Sequence, residues 1–335
     1  MLRMTAINVG YGDAVLLEEP RDEGTVFRML IDGGSAKGAE FCNNATGRIR
    51  AADYLARAGI TELDVLAFTH IHEDHICGLE PFFMKGGRVR ELWTSYIMPP
   101  EYFGRMLDVR GAPNTGCIHF ISAVNCYNRI FQYLTEHGCI IKNITGSLGG
   151  FPLSGGFEAD ILSPSETAAR GMTADFEELY NLAGTELFGV RAGELDAQMN
   201  AFSMVLRLNY RGKKILLPGD ACPSLQLMEE WAGRMDADIL KLAHHGQRDS
   251  INEQFIRAVS PRIVLTSSSS DRRYNSAHPE VYRDIGVILG KDGSEPAYLF
   301  TDQIAIRPYQ TEDRPRLALV INIDHDVINW ALQPV

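Results

Sequence analysis

The chain has 335 residues, 45% hydrophobic and 22% charged, with 32 Lys and Arg against 43 Asp and Glu for a net charge of −11. This balance excludes disorder as the main state, and the length allows a sizeable core without disulfide or metal staples. It disfavours the broad basic surface that extended nucleic acid requires, and no apolar run approaches the roughly 18 residues of a membrane helix.

Alternating patterns predict strands over 2–8, 13–18 and 26–31, with turns at Gly10 and Gly12 and at Asp22 to Gly24. A helix is expected over 47–59 and strands over 63–68 and 88–94. A helix over 118–137 stops at Gly138. A strand over 156–162 precedes helical stretches within 165–199. The second half predicts strands over 203–210 and 213–218, a helix over 223–233, and a strand over 238–243. It continues with a helix over 252–259, a strand over 262–267 and a helix over 279–290. Strands over 296–300, 303–307 and 316–323 complete the pattern. Ser267 to Ser270 reads as a polar strand end or loop.

Length alone allows two domains or one large sandwich. Each half opens on clustered strands and then alternates strands with helices. Two such halves face to face predict one α/β domain over 1–335, a four-layer α/β/β/α sandwich, with inserts near 99–150 and 165–199. The N-terminus lacks a basic-then-apolar targeting segment, so the cytoplasm is the expected compartment. The six cysteines form no C-x-x-C pair and are expected as free thiols.

The most informative segment is Phe68-Thr69-His70-Ile71-His72-Glu73-Asp74-His75. An apolar strand delivers three imidazoles and a carboxylate at its end, the donors that borderline metals prefer. On a loop, His70 and His72 can grip one ion while Asp74 and His75 turn to a second. Two ions about 3.5–4 Å apart can clamp attacking and leaving oxygens. A second strand ends in Pro218-Gly219-Asp220, which makes Asp220 a candidate bridging ligand. A third ends in His244-His245-Gly246. Successive side chains diverge, so one histidine is expected as a ligand and the other to face substrate. His278, before Pro279 at a helix start, is a further candidate. Glu73 is expected to be solvated, and Cys77 and Cys222 to be small core residues.

With H-x-H-x-D-H matched by His70, His72, Asp74 and His75, the sequence resembles the metallo-β-lactamase superfamily. Within it, the chain looks most like the metallo-hydrolase domain of ComEC-type DNA-uptake proteins. Val9-Gly10-Tyr11-Gly12-Asp13-Ala14 is similar to V-G-Q-G-D-A, with Tyr11 where Gln is usual. Leu30 to Gly34 matches L-I-D-G-G, and Ser203 to Leu208 with Pro218-Gly219-Asp220 resembles S-L-V-L-R-L and T-G-D. Leu240-Lys241 with His244-His245-Gly246 and Ser250 resembles L-K-V-x-H-H-G-S-x-x-S. Tyr274 to Pro279 resembles N-x-Y-G-H-P, and Thr301-Asp302 with Ile304 to Ile306 resembles T-D-x-x-G-A-I. The likeness runs from about residue 4 to 308 and omits the inserts.

The resemblance implies one or two divalent ions, Zn or Mn, and a hydrolase in which a metal-held hydroxide attacks the substrate. By position, His70 and His72 would hold the first ion, Asp74 and His75 the second, and Asp220 would bridge. Analogy with phosphorylcholine esterases favours His245 for the second site and leaves His244 for a phosphoryl oxygen. Asp74, His244 and His278 are the candidate catalytic groups, with His278 or a water as acid to the leaving group. Asp32 is expected to organise the loop through backbone amides.

Many members supply one more histidine to the first site shortly before the bridging Asp. Here Asn200 stands in that region, which points to a weak site, a harder ion such as manganese, or no ion. His119 is expected to be structural, on an apolar helix face. The expected substrate is a small-molecule or nucleotide phosphoester, with extended nucleic acid not favoured, no membrane partner, and homo-oligomerisation open. Arg248, Arg272 and Arg273 are read as surface residues in preference to phosphate ligands. The alternatives are a lactone or thioester hydrolase and a non-catalytic metal-binding or sensing protein.

Overall fold

The computed structural model describes residues 1–21, 24–43, 45–146, 149–290, 295–309 and 314–335. The first sheet opens with antiparallel β1 (Leu2–Ile7), β2 (Val15–Pro20) and β3 (Val26–Ile31). β4 (Glu62–Ala67), β5 (Arg88–Thr94) and β6 (Ile140–Asn143) add in parallel. Parallel neighbours need long crossovers. These are supplied by α1 (Ala51–Arg57), by α2 (Glu73–Ile76) with α3 (Glu80–Met84), and by α4 (Thr115–Glu136).

The second sheet holds β7 (Phe151–Ser154), β8 (Phe157–Ser163), β9 (Val205–Tyr210), β10 (Lys213–Leu217), β11 (Ile239–Lys241), β12 (Ile263–Thr266) and β13 (Ala297–Phe300). Between β8 and β9 lie α5 (Glu166–Asn181) and α6 (Phe188–Gln198). α7 (Leu225–Glu230), α8 (Glu253–Val259) and α9 (Pro279–Gly290) connect the later strands. The chain then returns to the first sheet. There β14 (Arg316–Ile323) lies antiparallel between β1 and β15 (Ile328–Pro334).

Period-two alternation assigns each side chain to a layer. Leu17, Met29, Val65 and Trp93 face Phe157, Leu206, Ile215 and Ile263 in one core between the sheets. Their sequence neighbours Leu16, Leu30, Leu66 and Leu92 face outward, against residues of α1 and α4 to α6. Leu216, Leu240 and Val264 pack outward against α7 to α9. The result is the expected four-layer α/β/β/α sandwich.

Several details differ from the sequence expectation. No strand forms over 303–307. Two tight turns carry the chain there, and Ile304 and Ile306 are buried in the outer helical layer, so alternation reported burial without pairing. β14 was expected to close the second half but completes the first sheet. β6, β7 and β15 were not foreseen, because none of the residues in these edge strands is buried. Part of the turn expected at Asp22 to Gly24 lies outside the described residues. α4, α5 and α6 of the two inserts cover one face of the first sheet. Among the described residues, no helix is long and apolar enough to cross a membrane.

Candidate metal centre

The centre lies where β3, β4, β10, β11 and β12 end. Beyond β4, His72 is the extended residue preceding α2, whose turn brings Asp74 and His75 back toward the sheets. Close loop approach requires glycine at two points. A Cβ on Gly12 would lie 2.3 Å from the Asp74 carbonyl oxygen, and one on Gly219 would lie 2.9 Å from Thr69 Cβ. Both glycines have positive φ, +139° and +56°.

Four donors converge. Asp220 Oδ2 lies 3.3 Å from both His75 Nε2 and His245 Nε2. Asp74 Oδ2 is 3.2 Å from His245 Nε2 and 4.0 Å from His75 Nε2. His75 Nε2, His245 Nε2 and Asp220 Oδ1 are buried without a hydrogen-bond partner. Donors sharing an ion at 2.0–2.2 Å in tetrahedral geometry stand about 3.4 Å apart. The spacing and the unpartnered buried atoms therefore suit a divalent cation.

A second pair of nitrogens faces itself beside this cluster. His70 Nε2 and His72 Nδ1 are 3.0 Å apart. His70 Nδ1 is 3.0 Å from the Thr69 hydroxyl and 3.2 Å from that of Ser203, while His72 Nε2 is 3.2 Å from Asp196. If those outer nitrogens carry the protons, two lone pairs point at one another, an arrangement a cation relieves. The His70–His72 pair thus offers two donors where the cluster around Asp220 offers four.

Surrounding groups hold these ligand candidates. Asp32, at φ +59°, accepts hydrogen bonds from Thr69 N and Thr69 Oγ1 at 2.8 and 2.7 Å, and its Oδ2 lies 2.7 Å from His75 Nδ1. Besides the backbone amide expected of it, Asp32 therefore grips an imidazole. His245 Nδ1 is 3.1 Å from the Ser267 carbonyl oxygen and 3.5 Å from Asp13. Asp13 forms a buried ion pair with Lys241, which also donates to the Gly219 carbonyl oxygen at 3.2 Å.

Burial is the largest influence on His75 and His245 and lowers both. Asp220 and the other facing carboxylates outweigh it and hold both imidazoles well above their ordinary range. Burial raises Asp220, but the charges of His245 and His75 hold it well below the usual carboxylate range. His70 stays well below the usual imidazole range, through burial first and then the charges of His75 and His72.

His244, His245 and Gly246 all have positive φ, at 48°, 54° and 71°. This left-handed run turns His245 into the cluster and His244 into a cleft of about 390 Å3 that opens over the centre. His244 Nε2 lies 2.9 Å from Gln247 Nε2 and 3.3 Å from Asn200 Nδ2, while its Nδ1 faces Asp249 at 3.2 Å.

Several expectations need correction. His278 does not line the cleft. It precedes α9, and its Nδ1 accepts from Glu280 N at 3.3 Å. Glu73 is buried instead of solvated, accepting from Ser35 Oγ and Ala36 N at 2.9 and 2.8 Å and pairing with Lys37 at 3.2 Å. His119 reaches the cleft wall rather than an apolar core. Cys222 lies 3.8 Å from His244 Nδ1, beside the site, whereas Cys77 is buried in the core. Arg248 and Arg273 need no such correction, since both pair with carboxylates and neither lines the cleft.

Asp13, Lys241, Ser267 and Asp196 were not singled out as site residues. Asp13 and Lys241 lie inside quoted motifs, which was the available signal. Asp196 lies in an insert and had none.

With two facing sheets, flanking helices and an H-x-H-x-D-H loop at their edge, the assignment follows. The chain has the metallo-β-lactamase fold. It resembles ComE operon protein 3 of Bacillus subtilis (strain 168), with 23% identity over 329 residues, 92% of this chain and 34% of the relative. The chain therefore spans about a third of the length of that curated relative. No family model matches the chain.

Solved structures of similar architecture include the metallo-β-lactamase fold protein YhfI of Bacillus subtilis. That match has a TM-score of 0.46 and 10% identity, covering 90% of this chain and 97% of the other. The metallo hydrolase Igni18 of Ignicoccus hospitalis KIN4/I gives a TM-score of 0.45 and 11% identity, covering 96% and 100%. Both scores are below 0.5, so the assignment rests on this chain's own layers and motifs and its likeness to the ComEC-type relative.

Proposed function

We propose that this metallo-β-lactamase-fold chain is a metal-dependent hydrolase of phosphoesters, most suitably phosphodiesters. The observation that carries the metal reading is the convergence of Asp74, His75, Asp220 and His245, with the buried Nε2 atoms of both histidines left without a hydrogen-bond partner. These four residues would hold one divalent ion, and His70 and His72 a second, weaker one, with zinc and manganese as the candidates. A bound ion there supplies Lewis-acid polarisation and activates water at neutral pH.

The chain's own groups do the positioning. Asp32 fixes the ring of His75, and the Ser267 carbonyl fixes that of His245. His244, held by Asp249 at Nδ1, faces the Gln247 and Asn200 amide groups with Nε2, and the Asn200 amide, which lines the cleft beside it, is the N–H donor offered there to a phosphoryl oxygen. Lys37, anchored by Glu73, lines the same cleft and adds a cation. Burial lowers Lys37, but the Glu73 carboxylate more than compensates, so the ammonium stays charged. The phosphoester choice is supported by the ComEC-type likeness and by this cation.

The test is hydrolysis of bis-p-nitrophenyl phosphate by chelator-stripped protein with zinc or manganese added back. Metal-restored turnover that is lost in Asp220→Ala is the expected result. Turnover of lactones or thioesters alone would replace phosphorus with carbon as the reacting centre. Metal binding without turnover of any of these classes would leave a binding or sensing role.

A further inference from the structure

The loop between β12 and α9 holds one aromatic ring at the mouth of the cleft in an unusual backbone setting. Arg272, Tyr274, Asn275 and Ala277 have φ values of 51°, 54°, 62° and 47°. Left-handed conformations are unfavourable for non-glycine residues and persist only where the surroundings over-determine them. The surroundings do so here. Ala277 N donates to the His245 carbonyl oxygen at 2.9 Å, and His278 N to that of Gly246 at 2.8 Å. Arg273 is tied to Glu40 and Asp271 at 2.9 Å each. The loop is thus clamped to the histidine turn of the metal centre, while Tyr274, which it carries, is 60% exposed.

Tyr274 is the outer member of a ring series that starts at the centre. Tyr11 packs on His245 with ring centres 4.3 Å apart, and Tyr274 packs on Tyr11 at 5.0 Å. Tyr11 is nearly enclosed, and its hydroxyl accepts from Gln247 Nε2 at 3.1 Å. Tyr274 borders the cleft together with Lys37 and His119. A phosphoryl group at the centre would therefore have an open aromatic surface within reach of whatever it is esterified to.

We infer that Tyr274, braced by Tyr11, is a stacking platform selecting phosphoesters that carry a planar heteroaromatic ring. This rests on the phosphoester reading of the site. An exposed ring on a clamped loop loses little freedom when another ring stacks on it, and such stacking tolerates many ring types.

The test compares two ligands that share a closed furanose and a 5′-phosphate and differ at C1′, thymidine 5′-phosphate and 1,2-dideoxyribose 5-phosphate, which carries hydrogen in place of the ring. Their Kd values are measured calorimetrically on metal-reloaded wild type, Tyr274→Ala and Tyr274→Phe. The wild type should bind the ring-bearing ligand about tenfold or more tighter, the scale of one aromatic stacking contact. Tyr274→Ala should bring the ratio close to one, and Tyr274→Phe, which keeps the ring face, should retain it. A wild-type ratio near one overturns the inference, as does a ratio that survives in Tyr274→Ala. A purely structural role would weaken both ligands together and leave the ratio intact. Failure of bis-p-nitrophenyl phosphate turnover counts against the phosphoester reading, and failure of the ratio against the platform.

Discussion

Replacing Asp32 by Asn tests whether the groups behind the metal candidates control metal affinity. Asp32 is fully buried, and Asn tolerates its positive φ, so shape and backbone are preserved. The carboxylate has two oxygens facing Thr69 N, Thr69 Oγ1 and His75 Nδ1. An amide replaces one acceptor with a donor. If its oxygen keeps Thr69 N, its NH2 meets the Thr69 hydroxyl and His75 Nδ1. The hydroxyl can rotate, but His75 must move its proton to Nε2, the atom that faces Asp220. That nitrogen then has no lone pair for an ion. If the amide flips, a buried N–H opposes Thr69 N–H instead, at about 1–3 kcal/mol for the unmet donor.

Loss of such outer carboxylate support lowers metal affinity by about 10- to 100-fold, equivalent to roughly 1.4–2.8 kcal/mol. The assay is competition between chelator-stripped protein and a chromophoric zinc chelator, with near-ultraviolet circular dichroism confirming an unchanged fold. An affinity within twofold of wild type in a folded Asp32→Asn protein would refute the reasoning.

Three other perturbations follow from the same contacts. In the metal-free protein, His75 and His245 titrate well above 6.5 because they face Asp220 and other carboxylates. An ion in the four-residue cluster must displace those protons, so calorimetry at pH 7 in buffers of different ionisation enthalpy should show release approaching two protons per ion. Affinity should rise with pH and level off above the raised imidazole values; a pH-independent affinity would contradict this. By the same linkage, the raised imidazoles stabilise the metal-free fold fully below about pH 6.5 and lose that contribution as pH rises through their folded values, while the depressed Asp220 carboxylate contributes fully above about pH 4 and loses it as pH falls, so these contacts are strongest between about pH 4 and 6.5. His278→Ala should lose about 0.5–2 kcal/mol of stability, as a helix-start acceptor does, with turnover within twofold of wild type. A loss of turnover of a hundredfold or more would restore His278 as an acid. Glu73→Ala leaves the buried Ser35 hydroxyl without its acceptor and should cost about 1–3 kcal/mol in urea unfolding. A change below 0.5 kcal/mol would show the buried contact to be dispensable.

The sequence by itself determined the layers and the outline of the site. Alternating residues such as Leu16 and Leu17, or Leu216 and Leu217, specify which side chain faces which layer, because strand geometry gives opposite faces to successive positions. The donors also cluster where apolar strands stop, so His70 to His75, Asp220 and His244-His245 were legible as one group. Tertiary structure decided what depends on contacts between distant segments. It separated His244 from His245 through consecutive left-handed residues, which periodicity does not encode. It buried Glu73 against Ser35 to Lys37, brought Asp196 from an insert to His72, and left His278 out of the cleft. It also carried β14 back beside β1, because sheet partnership follows the path of the chain through space and not the order of its elements.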